Sequence, residues 1–328
     1  MNINEIAELA GVSRATVSRY INHGYVSQEK KEKIQKVIDE TGYSPSNSAQ
    51  TLRSKRTNYI GVIIPKIDSA SIARVVKGIS ETLSDYGYQL LLACTNNNEA
   101  EELKYLNLFK ENHVDGIILL GTVFTKEHTA LLSRLSVPVV IVGQCMENYT
   151  CIYHDDYNAA KAVTAYLLPH AEHWGYIGVK LTDEAVGRKR LQGFMDQLSE
   201  SGKTIEPGAV MQSGFSLESG YETAKELLLA HPDLDTLLCA TDTIAVGALK
   251  YIQETGRRIP EDIQLAGFGD SNYSQITSPT LTTVHYHYKT SGIEGTKLLL
   301  EMIQAPSLPI SKQLKLGFEI VENHSVRI

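Results

Sequence analysis

Along the first forty residues the apolar positions recur at helical spacing. Ile3, Ile6, Ala7 and Ala10 fall at i, i+3, i+4 and i+7 and predict a first helix. Gly11-Val12 reads as a tight turn. Ser13 reads as the N-cap of a second helix running to about Asn22, with Val17 and Ile21 turned inward. Arg14, Ala15, Ser18 and Arg19 then share its outer face. A third helix is predicted after Ser27, with Glu29 in its first turn, Ile34, Val37 and Ile38 buried, and Gly42 as the stop. From residue 59 the pattern changes to short apolar runs, Tyr59–Ile64, Tyr88–Cys94, Gly116–Gly121 and Pro138–Gly143, separated by stretches of helical periodicity. The alternation returns with Trp174–Val179, Val210–Met211, Thr236–Ala240 and Gln264–Gly267. Strands alternating with helices predict parallel sheets covered on both faces, and two such series predict two α/β lobes. Ligands of such lobes sit at the C-terminal ends of strands or in the cleft between lobes.

Composition narrows the class. The chain has 328 residues, 42% hydrophobic and 21% charged, which is room for two or three soluble domains rather than a disordered polymer. No run approaches about 18 uncharged apolar residues, so no membrane span is expected. Met1–Ala10 carries Glu5 and Glu8 and no basic segment, which predicts no secretory signal. Cys94, Cys145, Cys151 and Cys239 show no zinc-like or CxxC spacing, and a reducing cytoplasm fits them. No metal or other cofactor is expected. The net charge of −7 conceals an asymmetry: residues 1–58 hold nine Lys/Arg against six acids, while the remainder is net −10. A basic head on an acidic body fits an anion-binding module joined to a sensor or an enzyme.

Chemical motifs are sparse in the body. There is no GxGxxG after a strand, no GxxxxGK[ST], no GxSxG elbow and no HExxH, so nucleotide, hydrolase and zinc-protease chemistries have no fingerprint. His285 with His287, and His170 with His173, have spacings a metal could use, but strand-edge or surface histidines are the plainer reading. Trp174 reads as core. The head is more telling. A helix, a turn containing Gly, and a second helix with Arg and Ser on its exposed N-terminal face form a helix-turn-helix arrangement. Arg can bridge guanine O6 and N7, while hydroxyls and helix-terminal N–H groups hold phosphates. Spacing alone leaves open a three-helix cap on a larger enzyme.

The run Ile6 to Asn22, containing AGVSRATVSRYIN, resembles the N-terminal signature of the LacI/GalR family of bacterial transcription regulators. The resemblance implies base-reading by Arg14, Ala15 and Arg19, phosphate contacts from Ser13, Thr16, Ser18 and Asn22, and a further contact from Tyr25. Tyr43 to Arg53 is similar to the family's YxPNxxAxxL hinge, with Ser46 where the family has Asn. That likeness makes Ala49 and Leu52 DNA contacts. Leu52 matches a residue that wedges into the minor groove, where insertion trades base unstacking for contacts on bent DNA. Arg53, Lys55 and Arg56 would add phosphate contacts.

The resemblance covers essentially the whole chain. It implies a head over 1–46, a hinge helix or linker over 47–58, a first lobe of 59–169 with 288–314, and a second lobe of 170–287 with 315–328. The body is then similar to periplasmic sugar-binding proteins, with three crossings and the ligand between the lobes. Family positions place Lys66, Ser71, Thr122, Asp155, Arg188, Arg190, Phe215, Asp242 and Asp270 at the effector. Arg190 would read hydroxyl or acid groups, and Phe215 would stack on a sugar ring. Plainer readings stay open: Asp242 as a helix cap, Phe215 as core, Arg190 as a surface pair. Gly269 stands where the family commonly has an acid, and Lys66, Arg188, Lys189 and Arg190 add bases near the expected cleft. That balance favours an anionic ligand such as a sugar phosphate. The stretches Lys66-Ile67-Asp68-Ser69 and Gly187-Arg188-Lys189-Arg190 resemble the trehalose-operon repressor branch, which implies trehalose 6-phosphate; the sucrose-operon branch is similar too. The expected partners are double-stranded operator DNA, the sugar effector and a second copy of the chain, since no leucine-heptad tail precedes Ile328. The competing readings are a global carbon regulator of the same family, a sugar-binding transport component and a sugar-phosphate enzyme, the last with Asp155 paired to His154 or Asp156.

Overall fold

The structure is a computed structural model that describes residues 1–22, 24–43, 56–112, 114–305 and 310–327. The hinge expected over 47–58 falls almost entirely outside them, and with it the assignments to Ala49 and Leu52. Two compact units are resolved, Met1–Thr57 and Asn58–Ile328.

In the first unit the caps are local and strong. Helix α1 (Ile3–Leu9) opens on a capping box in which Asn2 accepts from the amides of Asn4 and Glu5, and Glu5 accepts from the Asn2 amide. Helix α2 (Arg14–Ile21) is capped by Ser13, whose Oγ accepts from the Thr16 amide at 3.2 Å. Helix α3 (Gln28–Thr41) ends at Gly42, whose φ of 62° is a left-handed stop that a side chain would disfavour. Ile6, Ala7, Ala10, Val17, Ile34 and Val37 make the core, with Ile21 and Ile38 at its rim.

The second unit has two lobes. The first contains β1 (Tyr59–Ile64), α4 (Ala70–Asp85), β2 (Gln89–Cys94), α5 (Glu99–Glu111), β3 (Gly116–Leu119), α6 (Lys126–Leu132), β4 (Val139–Val142) and β5 (Thr150–His154). The second contains α7 (Asp156–Leu167), β6 (Trp174–Gly178), a π-helical turn (Glu184–Lys189), α8 (Arg190–Glu200), β7 (Val210–Gln212), α9 (Leu217–Ala230), β8 (Thr236–Cys239), α10 (Asp242–Glu254), β9 (Gln264–Phe268), α11 (Asn272–Ile276) and β10 (Thr282–Tyr286). The chain then returns to the first lobe with α12 (Tyr288–Gln304) and β11 (Gln313–Leu316), and ends in the second with β12 (Phe318–Val321).

The sheet orders are β11-β5-β4-β3-β1-β2, all parallel, and β12-β10-β9-β8-β6-β7, parallel except where β12 meets β10. Strands β3, β4, β8 and β9 are buried along their whole length, as expected for strands covered on both faces. Helices α4 and α12 approach so closely that a Cβ on Gly78 would lie 2.2 Å from the Lys289 carbonyl oxygen.

The lobe boundaries differ from expectation at two places. The first crossing falls at Asp155, not near residue 169. Ala159, Ala160, Val163 and Leu167 of α7 pack with Trp174, Tyr176 and Phe194 in the second lobe's core, so α7 belongs there. The last crossing falls at Gly317, because Lys315 and Leu316 still pair with Tyr153 and His154 in the first sheet. The middle crossing is at His287, between β10 and α12. Trp174 is buried, as read from its position.

Candidate functional site

Two sites were expected. On the head, α2 buries Val17 and turns Arg14, Ala15 and Arg19 to solvent, with Thr16 and Ser18 half-buried and Tyr25 88% exposed. The Ser13 and Thr16 hydroxyls bond each other at 2.9 Å at the helix N-terminus, and Asn22 Nδ2 donates to the Ser18 carbonyl at 2.5 Å. Arg and small residues therefore project from a rigid helix. Its N-terminus carries the free amides and partial positive charge that suit a phosphate.

The cleft of the body is formed by loops at the strand ends of both lobes, and contacts between described residues cross it. Lys66, after β1, places Nζ 5.2 Å from the ring centre of Phe215, after β7. Arg74, in α4, donates to the carbonyl of Gly269, after β9. Gln144, after β4, donates to Asp183 at 3.0 Å, and Lys180 lies 3.7 Å from Glu99. Thr122 accepts from Gln144 through its carbonyl, while Ser71 bonds Ser69 in the first turn of α4. Of the expected effector residues, Lys66, Thr122 and Phe215 thus belong to contacts that line the seam. Phe215 is half-buried against the second lobe's core, so its ring is held in place.

Other residues have different partners. Arg190 is 4% exposed; Nε donates to Asp156 at 2.7 Å and Nη1 to the Ala240 carbonyl at 2.6 Å. Its guanidinium lies about the rings of Phe268 and Tyr286, at 4.8 and 5.1 Å. Tyr286 also donates to Asp156, at 3.1 Å. This is a buried ion pair bracing the region of the crossings rather than a surface pair. The π-helical turn just before α8 sets the position from which Arg190 enters it. Arg188 is exposed and pairs with Glu184 one turn away.

The three expected acids are also occupied. Asp242 is 2% exposed and accepts from the Ser271 amide at 2.7 Å and the Thr283 hydroxyl at 2.5 Å. It ties three segments together, while Thr241 performs the capping. Burial holds the Asp242 carboxyl above its usual range. Asp155 caps α7 and binds Lys315 at 2.8 Å, which links the first and last crossings. Asp270 binds His285 at 2.8 Å.

Among the described residues, Arg74, Glu99, Gln144, Lys180, Asp183 and Tyr288 line the seam without having been singled out by the sequence. Asp183 is 1% exposed, accepts from Gln144 and the Val186 amide, and is pushed up by burial. Only its place as the N-cap, immediately before the π-helical turn, could have flagged it. His154 is buried against Tyr286 and Tyr288, and burial pulls its imidazole down to about 4. Among the described residues no cluster of three His, Cys, Asp or Glu could hold a metal, and no helix is long and apolar enough to cross a membrane.

Comparison with known proteins gives these sites a context. Residues 2–46 match the family model for bacterial regulatory proteins of the lacI family. Residues 57–315 match that for periplasmic binding proteins and the sugar binding domain of the LacI family. The sucrose operon repressor of Staphylococcus xylosus is 36% identical over 304 residues, covering 92% of this chain and 94% of the relative. The lac repressor dimer bound to operator and the anti-inducer ONPF superposes with a TM-score of 0.90 at 22% identity, over 100% of this chain and 99% of that one, which shows a shared fold. A complex of the transcriptional regulator CelR with cellobiose has a TM-score of 0.77 at 27% identity, over 99% of each chain. With one family model on the head and the other across most of the body, the protein belongs to the LacI family of bacterial regulatory proteins and is a DNA-binding transcriptional regulator.

Proposed function

We propose that the chain is a homodimeric, cytoplasmic repressor of carbohydrate-utilisation genes, without enzymatic activity, whose hold on its operator is set by a phosphorylated disaccharide in the interlobe cleft. The observation that carries the effector reading is Lys66 against Phe215. A fixed aromatic face on one lobe suits the apolar face of a sugar, and a half-buried cation opposite it suits an anionic substituent. Trehalose 6-phosphate is the first choice. The sucrose operon repressor relative and the CelR–cellobiose complex support a disaccharide, and make sucrose and its phosphate ester the next choice.

The DNA roles rest on exposure and chemistry. Arg14, Ala15 and Arg19 face outward from one helix to read base edges, and Ser13, Thr16, Ser18, Asn22 and Tyr25 hold the backbone. Dimerisation is supported by Leu91 and Leu92, both exposed on the edge strand β2, and by Ile276 and Tyr273, exposed on α11. Four free cysteines suit a reducing compartment. An enzyme reading loses its candidates, since Asp155, His154 and Asp156 are engaged by Lys315, by aromatic rings and by Arg190.

The test is operator binding by the full chain, titrated with trehalose, sucrose and their 6-phosphates. One phosphorylated disaccharide is expected to change operator affinity at least tenfold, about 1.4 kcal/mol, and Phe215→Ala to abolish the response. A response to neutral sugars alone would refute the anionic effector.

A further inference from the structure

The charges of the cleft do not balance locally. Four acids at the seam already have donors: Asp242 has Ser271 and Thr283, Asp183 has Gln144 and Val186, Glu99 has Lys180, and Asp270 has His285 on Oδ2, while its Oδ1 is buried without a partner among the described residues. Arg190 is matched by Asp156. Among the described residues no carboxylate pairs with Arg74, whose guanidinium is half-buried, lies 5.0 Å from the ring centre of Tyr288 and donates to the Gly269 carbonyl. A guanidinium carries five N–H donors, and one carbonyl leaves most of them unused. A cation removed from water without a counter-charge is an unfavourable arrangement unless a ligand supplies the charge.

Gly269 explains how the arrangement is kept. Its φ of 134° is a backbone region that side chains rarely adopt, and a Cβ there would lie 3.6 Å from Asp242 Oδ2. An acid at this position would be strained and repelled by Asp242. The end of β9 therefore offers the cleft a carbonyl, and the carbonyl holds the guanidinium of the opposite lobe. The polarity is reversed relative to a cleft with an acid here: the ligand meets a donor.

We propose that Arg74 is a further specificity-determining residue for the effector's anionic group, acting beside Lys66 and taking phosphate oxygens in its planar fork while it keeps the Gly269 carbonyl. This rests on the sugar-phosphate reading above and names a residue that enforces it. Because Arg74 and Gly269 belong to different lobes, an anion held there is held at the seam, and its binding favours the lobe arrangement in which that bond exists.

The test is calorimetric titration of the full chain, wild type, Arg74→Gln and Arg74→Lys, with trehalose 6-phosphate, sucrose 6-phosphate, the two neutral sugars and inorganic phosphate. Wild type is expected to prefer one phosphorylated sugar over its neutral parent by at least tenfold. Arg74→Gln is expected to lose that preference while neutral-sugar affinity moves less than threefold. Arg74→Lys, which keeps the charge without the fork, should retain part of the preference; it is also the informative variant if Arg74→Gln does not fold. Full preference in both variants would overturn the role of Arg74 and leave the effector reading standing. Wild type that binds only neutral sugars, or inorganic phosphate as tightly as the sugar phosphate, would overturn both.

Discussion

Arg190 and Asp156 provide a quantitative test of the bracing role of Arg190. In Arg190→Met the thioether occupies the space about Phe268 and Tyr286, but Asp156, 3% exposed, keeps only the Tyr286 hydroxyl, and the Ala240 carbonyl loses a donor. Breaking a buried pair from one side costs about 3–5 kcal/mol, because the remaining charge is left without its partner. At about 2–4 °C per kcal/mol for a body of this size, the melting temperature should fall by roughly 6–20 °C. The double variant Arg190→Met/Asp156→Leu removes both charges together. It loses the helix-terminal carboxylate of α7, worth about 0.3–1 kcal/mol, and a hydrogen bond from Tyr286, worth about 1 kcal/mol. Its net loss is therefore about 1–2 kcal/mol, smaller than that of the single variant. Calorimetric melting without effector measures wild type, Arg190→Met, Asp156→Leu and the double variant. A single variant as stable as wild type, or a double variant whose loss is the sum of the two singles, would refute the bracing role.

Three further predictions concern other residues. The His154 imidazole is lowered from 6.5 to about 4, burial being the largest cause, with Asp156 opposing and Arg190 adding. A depressed folded pKa contributes stability above the unfolded value that is lost as pH falls, about 3 kcal/mol across that window. His154→Phe should therefore lose less melting temperature than wild type between pH 7 and pH 4.5, and parallel curves would count against it. Asp183 is shifted the other way, by burial, so its contribution is present at low pH and lost as pH rises through the elevated pKa. Asp183→Asn keeps an acceptor for Val186 and Gln144; it should melt a few degrees above wild type near pH 7, with the gap closing toward pH 4, whereas a constant gap would contradict the assignment. Arg19→Ala should weaken operator binding by at least tenfold, given about 1–3 kcal/mol for a bidentate contact to guanine. Its melting should not change, because Arg19 is exposed; equal operator affinity would remove Arg19 from the reading surface.

The head was legible because its signals are short-range. Ser13 caps within three residues, Gly42 stops a helix at its own position, and the stripe of Ile6, Ala7 and Ala10 needs no distant partner to be recognised. The alternation that produces the two sheets was equally plain. Strand β5 was missed because Thr150–His154 mixes a cysteine, a tyrosine and a histidine, and its pairing with β11 joins segments far apart in the chain. Helix α7 was assigned to the wrong lobe for a related reason: its apolar face does not say which sheet it covers, and Trp174 and Phe194 decide that.

The cleft shows the same division more sharply. Residue type marked Arg190, Asp242 and Asp155 as chemically able to meet a ligand, and the resemblance placed them. Their partners, Asp156 for Arg190, Thr283 for Asp242 and Lys315 for Asp155, are 34, 41 and 160 positions away, so periodicity could not report that they are already engaged. Arg74 was hidden by the opposite error. On the sequence it is one more charge on an amphipathic helix, and only the apposition of the lobes turns it toward Gly269.

The central claim is that a sequence-specific DNA-binding head is governed by a ligand in the body. The most direct measurement is selection of duplexes from a random pool by the full-length chain, with and without the phosphorylated disaccharides. Enrichment of a site with two-fold symmetry is expected, lost in Arg19→Ala, with an affinity for it that changes at least tenfold with one phosphorylated disaccharide. Enrichment of no common sequence, or a common site whose affinity ignores every phosphorylated sugar, would contradict the claim.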